Sequence, residues 1–210
     1  KGKTLMVLPV SKKIVGVITT SDVIRPHAKD TVDRLKGLGL DIGILTGDNR
    51  YVAEVIAKEL NIKTVLSEVL PGSKSNEIKK MQAKGLTVAM VGDGINDAPA
   101  LAQADLGIAV GSGADVAIEA SDITLMSNDL TSVVDAIELS NKTMAKVKQN
   151  LFWAFFYNCL GIPIAAGMLY PIFGILLSPV YAALAMTLSS VSVISNSLLL
   201  KKFTPKARIL

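Results

Sequence analysis

The chain has 210 residues, of which 50% are hydrophobic and 19% are charged, and its formal net charge at pH 7 is +4. No charged residue lies between Lys148 and Lys201, and the basic excess comes from the last ten residues. A nucleic-acid-binding protein would spread basic side chains over a folded face, so this distribution argues against that class and predicts no nucleic-acid partner. The single cysteine, Cys159, excludes an internal disulfide framework and a cysteine-rich zinc site.

Short β-branched runs alternate with helical patterns over residues 14–125. Strands are predicted at 14–19, 41–45, 64–66, 87–91, 106–110 and 123–126, and helices at 28–38, 50–60, 73–83 and 97–103. Strands that alternate with helices at this spacing predict an α/β fold in which helices cover both faces of a parallel sheet. In such sheets the chemistry lies beyond the carboxyl ends of the strands.

The first polar motif, Thr-Gly-Asp-Asn at 46–49, follows the strand predicted at 41–45 and precedes the helix predicted at 50–60. Glycine lets the backbone approach an anion, the helix start supplies free amide donors, and the threonine hydroxyl adds another donor. The motif therefore indicates a phosphate-binding turn. The same composition is also typical of a simple helix cap, which is the alternative.

Two carboxylates, Asp93 and Asp97, follow the apolar strand predicted at 87–91. Their spacing on a loop that leaves a buried strand suits a hard, oxygen-ligated cation such as Mg²⁺. A turn with an aspartate cap is the alternative. Lys74, near the start of the helix predicted at 73–83, would balance phosphate charge, although most lysines in such positions are simply solvated.

An uncharged region of 52 residues follows Lys148. This length allows two membrane spans of about 20 residues each, and we predict helices at 149–169 and 179–200. Lysines precede the first span and basic residues follow the second, so the positive-inside rule places both ends in the cytoplasm. A buried helical hairpin of a soluble protein is the alternative.

Polar residues within the predicted spans are candidates for an ion path, because lipid penalises them. They are Tyr157, Asn158, Met186, Ser189 and Ser190. Tyrosine, asparagine and serine commonly form interhelical hydrogen bonds, and methionine commonly packs. A thioether nevertheless favours a soft ion such as Cu(I). These spans contain no aspartate, glutamate or lysine, which disfavours divalent ions.

Four of the polar residues follow the order of known phosphotransferase motifs: Thr46, Lys74, Asp93 and Asp97. They resemble the second, third and fourth motifs of haloacid-dehalogenase-like phosphotransferases. The string Gly-Asp-Gly-Ile-Asn-Asp-Ala-Pro-Ala-Leu at 92–101 is similar to the hinge-side signature of P-type ATPases, and residues 22–26 match the same family. The resemblance implies a haloacid-dehalogenase-like, Rossmann-type sheet followed by a two-helix transmembrane hairpin.

The resemblance also implies how the phosphoryl group would be held. Thr46 and Gly47 would bind its oxygens, with Asp48 in the same catalytic turn. Lys74 would neutralise a phosphorylated aspartate, and Asn96 would hydrogen-bond the phosphate. Phosphoryl transfer depends mostly on such positioning and charge neutralisation.

The implied cofactors are Mg²⁺ and ATP. Asp93 would ligate Mg²⁺ and Asp97 would support that site, while Asp22 would contact nucleotide or metal at the hinge. The family's nucleophile is the aspartate of an Asp-Lys-Thr-Gly string, which this sequence lacks. The isolated chain is therefore predicted to be inactive, as the C-terminal portion of a longer pump.

The membrane half resembles one branch of that family. Tyr157-Asn158, followed by Met186-x-x-Ser189-Ser190, looks like the paired signature of Cu(I)-exporting heavy-metal P-type ATPases. In that branch the methionine joins a Cys-Pro-Cys pair from an earlier helix, which is absent here. The resemblance implies ATP-driven export of Cu(I) through an aspartyl-phosphate intermediate.

We expect four segments: 1–20 returning from a nucleotide-binding domain, 21–140 from the phosphorylation domain, 141–200 with two membrane helices, and 201–210 as a basic cytoplasmic tail. Residues 1–148 would also be cytoplasmic, in a protein of the cell membrane. The expected partners are the remainder of the pump (its actuator domain, nucleotide-binding domain and upstream membrane helices), the lipid bilayer and a copper chaperone.

Two other functions stay open at this point. One is the same type of pump with silver, zinc or cadmium as its ion. The other is a membrane-anchored fragment that binds phosphate and magnesium but catalyses nothing, which the missing nucleophile favours for the chain as given.

Overall fold

A computed structural model of the chain describes residues 4–10, 13–20, 23–93, 95–111, 115–174 and 178–205. The chain divides into two compact units, which we call unit 1 (Lys1–Val134) and unit 2 (Asp135–Leu210). Strands occur in unit 1 only, among the described residues. Phosphoryl-transfer candidates lie in unit 1 and ion-binding candidates in unit 2.

Unit 1 alternates strands and helices after an initial strand pair. Its strands are β1 (Thr4–Val10), β2 (Lys13–Thr20), β3 (Gly43–Leu45), β4 (Thr64–Leu66), β5 (Ala89–Gly92), β6 (Leu106–Val110) and β7 (Ile123–Leu125). Its helices are α1 (Ala28–Gly37), α2 (Arg50–Glu59), α3 (Lys74–Gln82), α4 (Ala98–Gln103) and α5 (Asp115–Glu119), with 3₁₀ turns at Pro71–Ser73 and Ile95–Asp97.

The strands from β3 onward pair in parallel, as the alternation predicts. β3 pairs with β4, and β6 pairs with both β5 and β7. The α/β fold class is thereby confirmed. Helix α5, at Asp115–Glu119, is an addition that the sequence pattern did not predict.

The strand predicted at 14–19 does not join the parallel sheet. It lies within β2, which pairs antiparallel with β1, so that Thr4 is opposite Thr20. Two residues separate these strands in the sequence, and a parallel pair needs a crossover of about a dozen residues or more, so only the antiparallel arrangement is available. The expectation of a purely parallel strand set was wrong at this position.

Two apolar clusters fix the parallel strands against their helices. The first contains Ala28, Val32, Ala57, Leu60 and Ile62, from α1, α2 and the residues that follow α2. The second contains Ile78, Met90, Ala100, Leu101 and Ala117, with Leu45 packed against it. Leu45 is the last residue of β3, so packing in the second cluster holds the point at which the 46–49 turn begins.

Unit 2 contains most of α6 (Thr131–Ala165), all of α7 (Tyr170–Phe173) and α8 (Pro179–Leu198), and a 3₁₀ turn at Leu199–Lys202. Helix α6 ends earlier than the helix predicted at 149–169. Gly167 has a φ of +92°. Its N–H donates to the Ile164 carbonyl, and the Met168 N–H donates to the Pro163 carbonyl. This is the Schellman pattern of helix ends, which needs a residue that tolerates positive φ.

One segment among the described residues, Ala183–Lys202, is long and apolar enough to cross a membrane, with a mean hydropathy of 1.6. It overlaps the second predicted span, and α8 begins at the predicted residue, Pro179. The first predicted span does not meet the same criterion in the described part of the chain. Because α6 ends at Ala165 and contains polar residues such as Gln149, Asn150 and Asn158, the mean hydropathy of this span is too low.

Candidate phosphoryl-transfer site and ion-binding residues

The Thr46-Gly47-Asp48 turn leaves β3 and is hydrogen-bonded to the last residue of β4 and to the backbone that follows it. The Thr46 N–H donates to the Leu66 carbonyl at 2.9 Å, and the Val69 N–H donates to the Thr46 carbonyl at 3.1 Å. A Cβ on Gly47 would lie 3.3 Å from the Val69 carbonyl oxygen, so a side chain there would crowd this contact. The turn is therefore held at the carboxyl ends of two paired parallel strands.

Within the turn, Thr46 and Asp48 bond to each other. Thr46 Oγ1 donates to Asp48 Oδ2 at 2.6 Å and accepts from the Asp48 N–H at 3.1 Å. The helix cap that the sequence offered as an alternative is also present, but on the next residue: Asn49 Oδ1 accepts from the Tyr51 N–H at 2.8 Å. Because Asn49 caps α2, Thr46, Gly47 and Asp48 are not needed for that role.

Lys74 and Asp97 form a largely buried ion pair. Lys74 Nζ lies 2.7 Å from Asp97 Oδ1, and the two side chains are 13% and 15% exposed. Gly92 makes room for this carboxylate, since a Cβ there would lie 2.8 Å from the Asp97 Cβ. The structure thus brings together two residues that the sequence singled out separately, and the pair fixes where the ammonium group sits.

Asp93 is the more accessible carboxylate of the same loop. It forms an ion pair with Arg25, and the two side chains are 50% and 48% exposed. Arg25 was not singled out as a site residue. The signal that could have identified Arg25 was its place in the Asp-Val-Ile-Arg-Pro string at 22–26. An arginine there can supply the positive charge that balances the Asp93 carboxylate.

Three other features of this region bear on the predicted site. Asn96 is exposed in the 3₁₀ turn at Ile95–Asp97, and Asp22 lies outside the described residues. Among the residues that the structure describes, no hydrogen bond or ion pair links the Thr46–Asp48, Lys74–Asp97 and Arg25–Asp93 pairs to one another. That part of the chain also contains no group of three or more His, Cys, Asp and Glu side chains that would hold a metal alone.

In unit 2 the candidate ion-binding residues lie on α6 and α8. Ser190 Oγ donates to the Met186 carbonyl at 3.2 Å, which places the two residues on one face of α8 as predicted. The Met186 side chain is 72% exposed. On α6, the Tyr157 ring stacks on Trp153 with 5.8 Å between centroids. Asn158 is exposed and Ser189 is half-buried.

Known proteins match this chain over almost its whole length. The family model of haloacid dehalogenase-like hydrolases matches residues 2–105. A probable copper-exporting P-type ATPase of Archaeoglobus fulgidus is 56% identical over 208 residues, which is 99% of this chain and 26% of that protein. The probable copper-transporting ATPase PacS of Synechocystis sp. is 53% identical over 203 residues, 97% of this chain and 27% of that protein.

The chain belongs to the P-type ATPase family. A solved zinc-transporting PIB-type ATPase in the E2.Pi state matches the fold with a TM-score of 0.79 at 34% identity. The match covers 95% of this chain and 32% of that structure. The chain spans about a quarter of the length of the curated P-type ATPases that it matches.

The carboxylates of the 92–97 loop fit the donor set that Mg²⁺ takes in proteins. Proteins bind Mg²⁺ through one or two carboxylates, several waters and substrate phosphate oxygens, and they seldom enclose it in an all-protein cage. Asp93 is a half-exposed carboxylate at the end of β5, whereas Asp97 is occupied by Lys74. The donor set therefore suits Asp93 as ligand and Asp97 as its support.

Proposed function

We propose that this chain is the C-terminal portion of a pump that uses ATP to export Cu(I) across a membrane through an aspartyl-phosphate intermediate. The observation that carries the phosphoryl-transfer part is the position of the charged groups. The Thr46–Asp48 turn and Asp93 follow the parallel strands β3 and β5, and one charge pair, Lys74–Asp97, is largely buried beside Gly92. Chemistry in α/β sheets is built at such strand ends.

Each candidate site residue of unit 1 then has a role in holding the phosphoryl group. The Thr46 hydroxyl, once turned away from Asp48, and the Gly47 N–H would donate to its oxygens, and Lys74 would neutralise its charge from a position that Asp97 fixes. Asn96 would add a hydrogen bond from the exposed turn. When Mg²⁺ is bound, it would neutralise further charge on the transferred group. The nucleophilic aspartate would come from a segment outside this chain, so the isolated chain would be inactive.

For the transported ion, the support comes from Met186 and from the names of the relatives. A thioether prefers a soft ion, and Met186 shares a face of α8 with Ser190. The copper-named relatives found are 49–57% identical to this chain, whereas the solved zinc transporter is 34% identical. Tyr157, Asn158 and Ser189 would complete the residues of this chain that face the ion. Silver, zinc and cadmium are the alternative ions.

The proposal implies a cell-membrane protein whose residues 1–148 and C-terminal tail are cytoplasmic. Its partners would be the remaining domains of the pump, the bilayer and a copper chaperone. The first experiment measures ATP hydrolysis by the full-length protein in lipid vesicles, with Cu(I) and Zn(II) at matched free concentrations. We expect stimulation by Cu(I) alone. Stimulation by Zn(II) alone would overturn the copper assignment, and stimulation by neither would support the inert alternative.

A further inference from the structure

Five polar side chains connect α6 and α8 within unit 2, and we call them the interhelical clamp: Lys146, Gln149, Asn150, Asn196 and Ser197. Lys146 Nζ donates to Asn196 Oδ1 at 2.6 Å, and Asn196 Nδ2 donates to Asn150 Oδ1 at 2.7 Å and to Gln149 Oε1 at 3.1 Å. Asn150 Nδ2 donates to Ser197 Oγ at 2.8 Å. The sequence indicated none of these residues as a site residue.

Asn196 is the centre of the clamp. Its side-chain oxygen accepts from α6 and its amide nitrogen donates to two α6 oxygens, so both ends of the amide are engaged. A side chain bound at both ends cannot satisfy its partners if the helices slide by one residue or rotate. Such fully satisfied polar networks specify one arrangement of packed elements.

A cavity of about 180 Å³ connects the clamp to Tyr157, one of the candidate ion-binding residues. Gln149, Asn150 and Asn196 line one part of it, and Trp153, Tyr157 and Ser192 line another. Asn150 bonds to Asn196 and Ser197 near the end of α8, whereas Tyr157, later on α6, shares the cavity with Ser192, which comes earlier on α8, so we infer that the two helices are antiparallel. Tyr157 thus lines the same cavity as three residues of the clamp.

The antiparallel register that the clamp sets can be extended by counting. Both helices rise about 1.5 Å per residue. Asn150 is bonded to Asn196 and to Ser197, and Tyr157 follows Asn150 by seven positions. Seven positions back from Asn196 and Ser197 on α8 are Ser189 and Ser190. By this count, Tyr157 lies at about the level of those two serines.

We propose that the interhelical clamp positions the metal-binding residues of α6 and α8 opposite each other. The inference rests on the proposed function, because it concerns the same candidate ligands. Lys146 and Asn196 are positioning residues, since they act through the register of the helices and touch no ion. If the register is lost, the candidate ligands on α6 move away from those on α8, and the affinity for the metal falls. Phosphoryl transfer in unit 1 is unaffected.

The test replaces one donor of the clamp in the full-length protein, in lipid vesicles. We expect Lys146→Met to raise the free Cu(I) concentration for half-maximal ATPase stimulation roughly tenfold, about the effect of losing one or two hydrogen bonds. Phosphorylation from inorganic phosphate should match the wild type. Lys148→Met is the control, because it removes the same charge from an exposed lysine two positions away on α6.

A second variant keeps the test independent of the charge. Asn196→Ala removes the central amide and should raise the half-maximal concentration further, whereas Ser195→Ala, on the adjacent exposed residue, should leave it unchanged. A wild-type half-maximal concentration in both Lys146→Met and Asn196→Ala would overturn the clamp proposal, even if their melting temperatures fell. A melting-temperature loss alone would assign the network a purely structural role.

The outcomes for wild-type protein separate this proposal from the proposed function. If Zn(II) stimulates the pump and Cu(I) does not, the copper assignment fails, and the clamp variants must shift the zinc dependence in the same way. If neither ion stimulates it, both the proposed function and the clamp proposal are overturned. If Cu(I) stimulates the wild type and both clamp variants equally, only the clamp proposal fails.

Discussion

The two carboxylates of the 92–97 loop have different surroundings although they are four positions apart. Asp97 is 15% exposed and holds Lys74, while Asp93 is 50% exposed and faces Arg25. Breaking a buried pair leaves an uncompensated charge, so Asp97 is committed to its partner. Asp93 exchanges its partner at lower cost, because solvent already screens the exposed pair. This difference favours Asp93 as the magnesium ligand.

We expect Asp93→Asn to stop turnover, because a neutral amide does not hold Mg²⁺ against water. The loss should be about a thousandfold or more, corresponding to several kcal/mol of charge stabilisation. The measurement is phosphoenzyme formation as a function of Mg²⁺ concentration. Asp33→Asn, at an exposed carboxylate on α1, is the control and should behave as wild type. An unchanged magnesium dependence in Asp93→Asn would contradict the assignment.

Gly92 is needed for the space that it leaves beside Asp97. An added Cβ would lie 2.8 Å from the Asp97 Cβ and 3.0 Å from its Oδ2. We expect Gly92→Ala to displace the carboxylate from Lys74, to lower the free energy of unfolding by about 1–3 kcal/mol, and to slow phosphorylation. Urea unfolding and phosphoenzyme formation would measure these effects. Gly37→Ala, where a Cβ meets no atom within 4 Å, should cause neither.

At the scale of elements, the start of β5 is tied to the turn between α4 and β6. Asp105 Oδ2 accepts from the Val88 N–H at 2.8 Å, and the Val88 carbonyl accepts from the Asp105 N–H at 2.9 Å. The hydrogen bond from Val88, followed by one from Gln82, lowers the pKa of Asp105 below its ordinary value. The ionised carboxylate therefore contributes to the stability of the sheet whose strand β5 ends directly before Asp93.

This contribution has a defined pH dependence. A carboxylate whose folded pKa is lowered stabilises the fold fully above its unfolded pKa, about 3.9, and loses that contribution as the pH falls through the folded pKa. We expect Asp105→Ala to destabilise the protein more at pH 7 than at pH 3. Chemical denaturation at both pH values would measure the difference, with Asp33→Ala as the control. An equal loss at both pH values would show that the charge of Asp105 contributes nothing.

Helix α6 ends where its local sequence allows a left-handed residue. Gly167 takes a φ of +92°, and the two hydrogen bonds of its Schellman motif satisfy carbonyls at the end of the helix. The helix nevertheless reaches back to Thr131, where the Thr131 N–H donates to Asp129 Oδ1 at 3.0 Å. One continuous element of 35 residues thus has its first turn in unit 1 and the candidate ligands Tyr157 and Asn158 in unit 2.

At the scale of the whole molecule, the candidate phosphoryl-transfer residues lie in unit 1 and the candidate ion ligands in unit 2. We therefore expect a substitution in unit 2 to separate the two activities. Met186→Ala should leave phosphorylation from inorganic phosphate intact and abolish metal-stimulated ATP hydrolysis by the full-length protein. Met168→Ala is the control, because its side chain is similarly exposed, 66% against 72%, but lies outside α8. Full metal stimulation of Met186→Ala would contradict the thioether assignment.

The sequence alone determined the features that depend on neighbouring residues. The strands Thr64–Leu66 and Leu106–Val110 begin and end where they were predicted, and α8 begins at Pro179. β-Branched runs, helical periodicity and proline or glycine positions act over a few residues, so they can be read without the fold. The same holds for the motifs at 46–49 and 92–97, whose order along the chain indicated the family.

Only the tertiary structure decided how distant residues are paired. Lys74 and Asp97 are 23 positions apart, Arg25 and Asp93 are 68 apart, and Lys146 and Asn196 are 50 apart. The sequence named Lys74, Asp97 and Asp93 as separate candidates, and it gave no sign of the interhelical clamp. Such contacts depend on which strands become neighbours and on the register of two helices, and packing across the whole fold sets both.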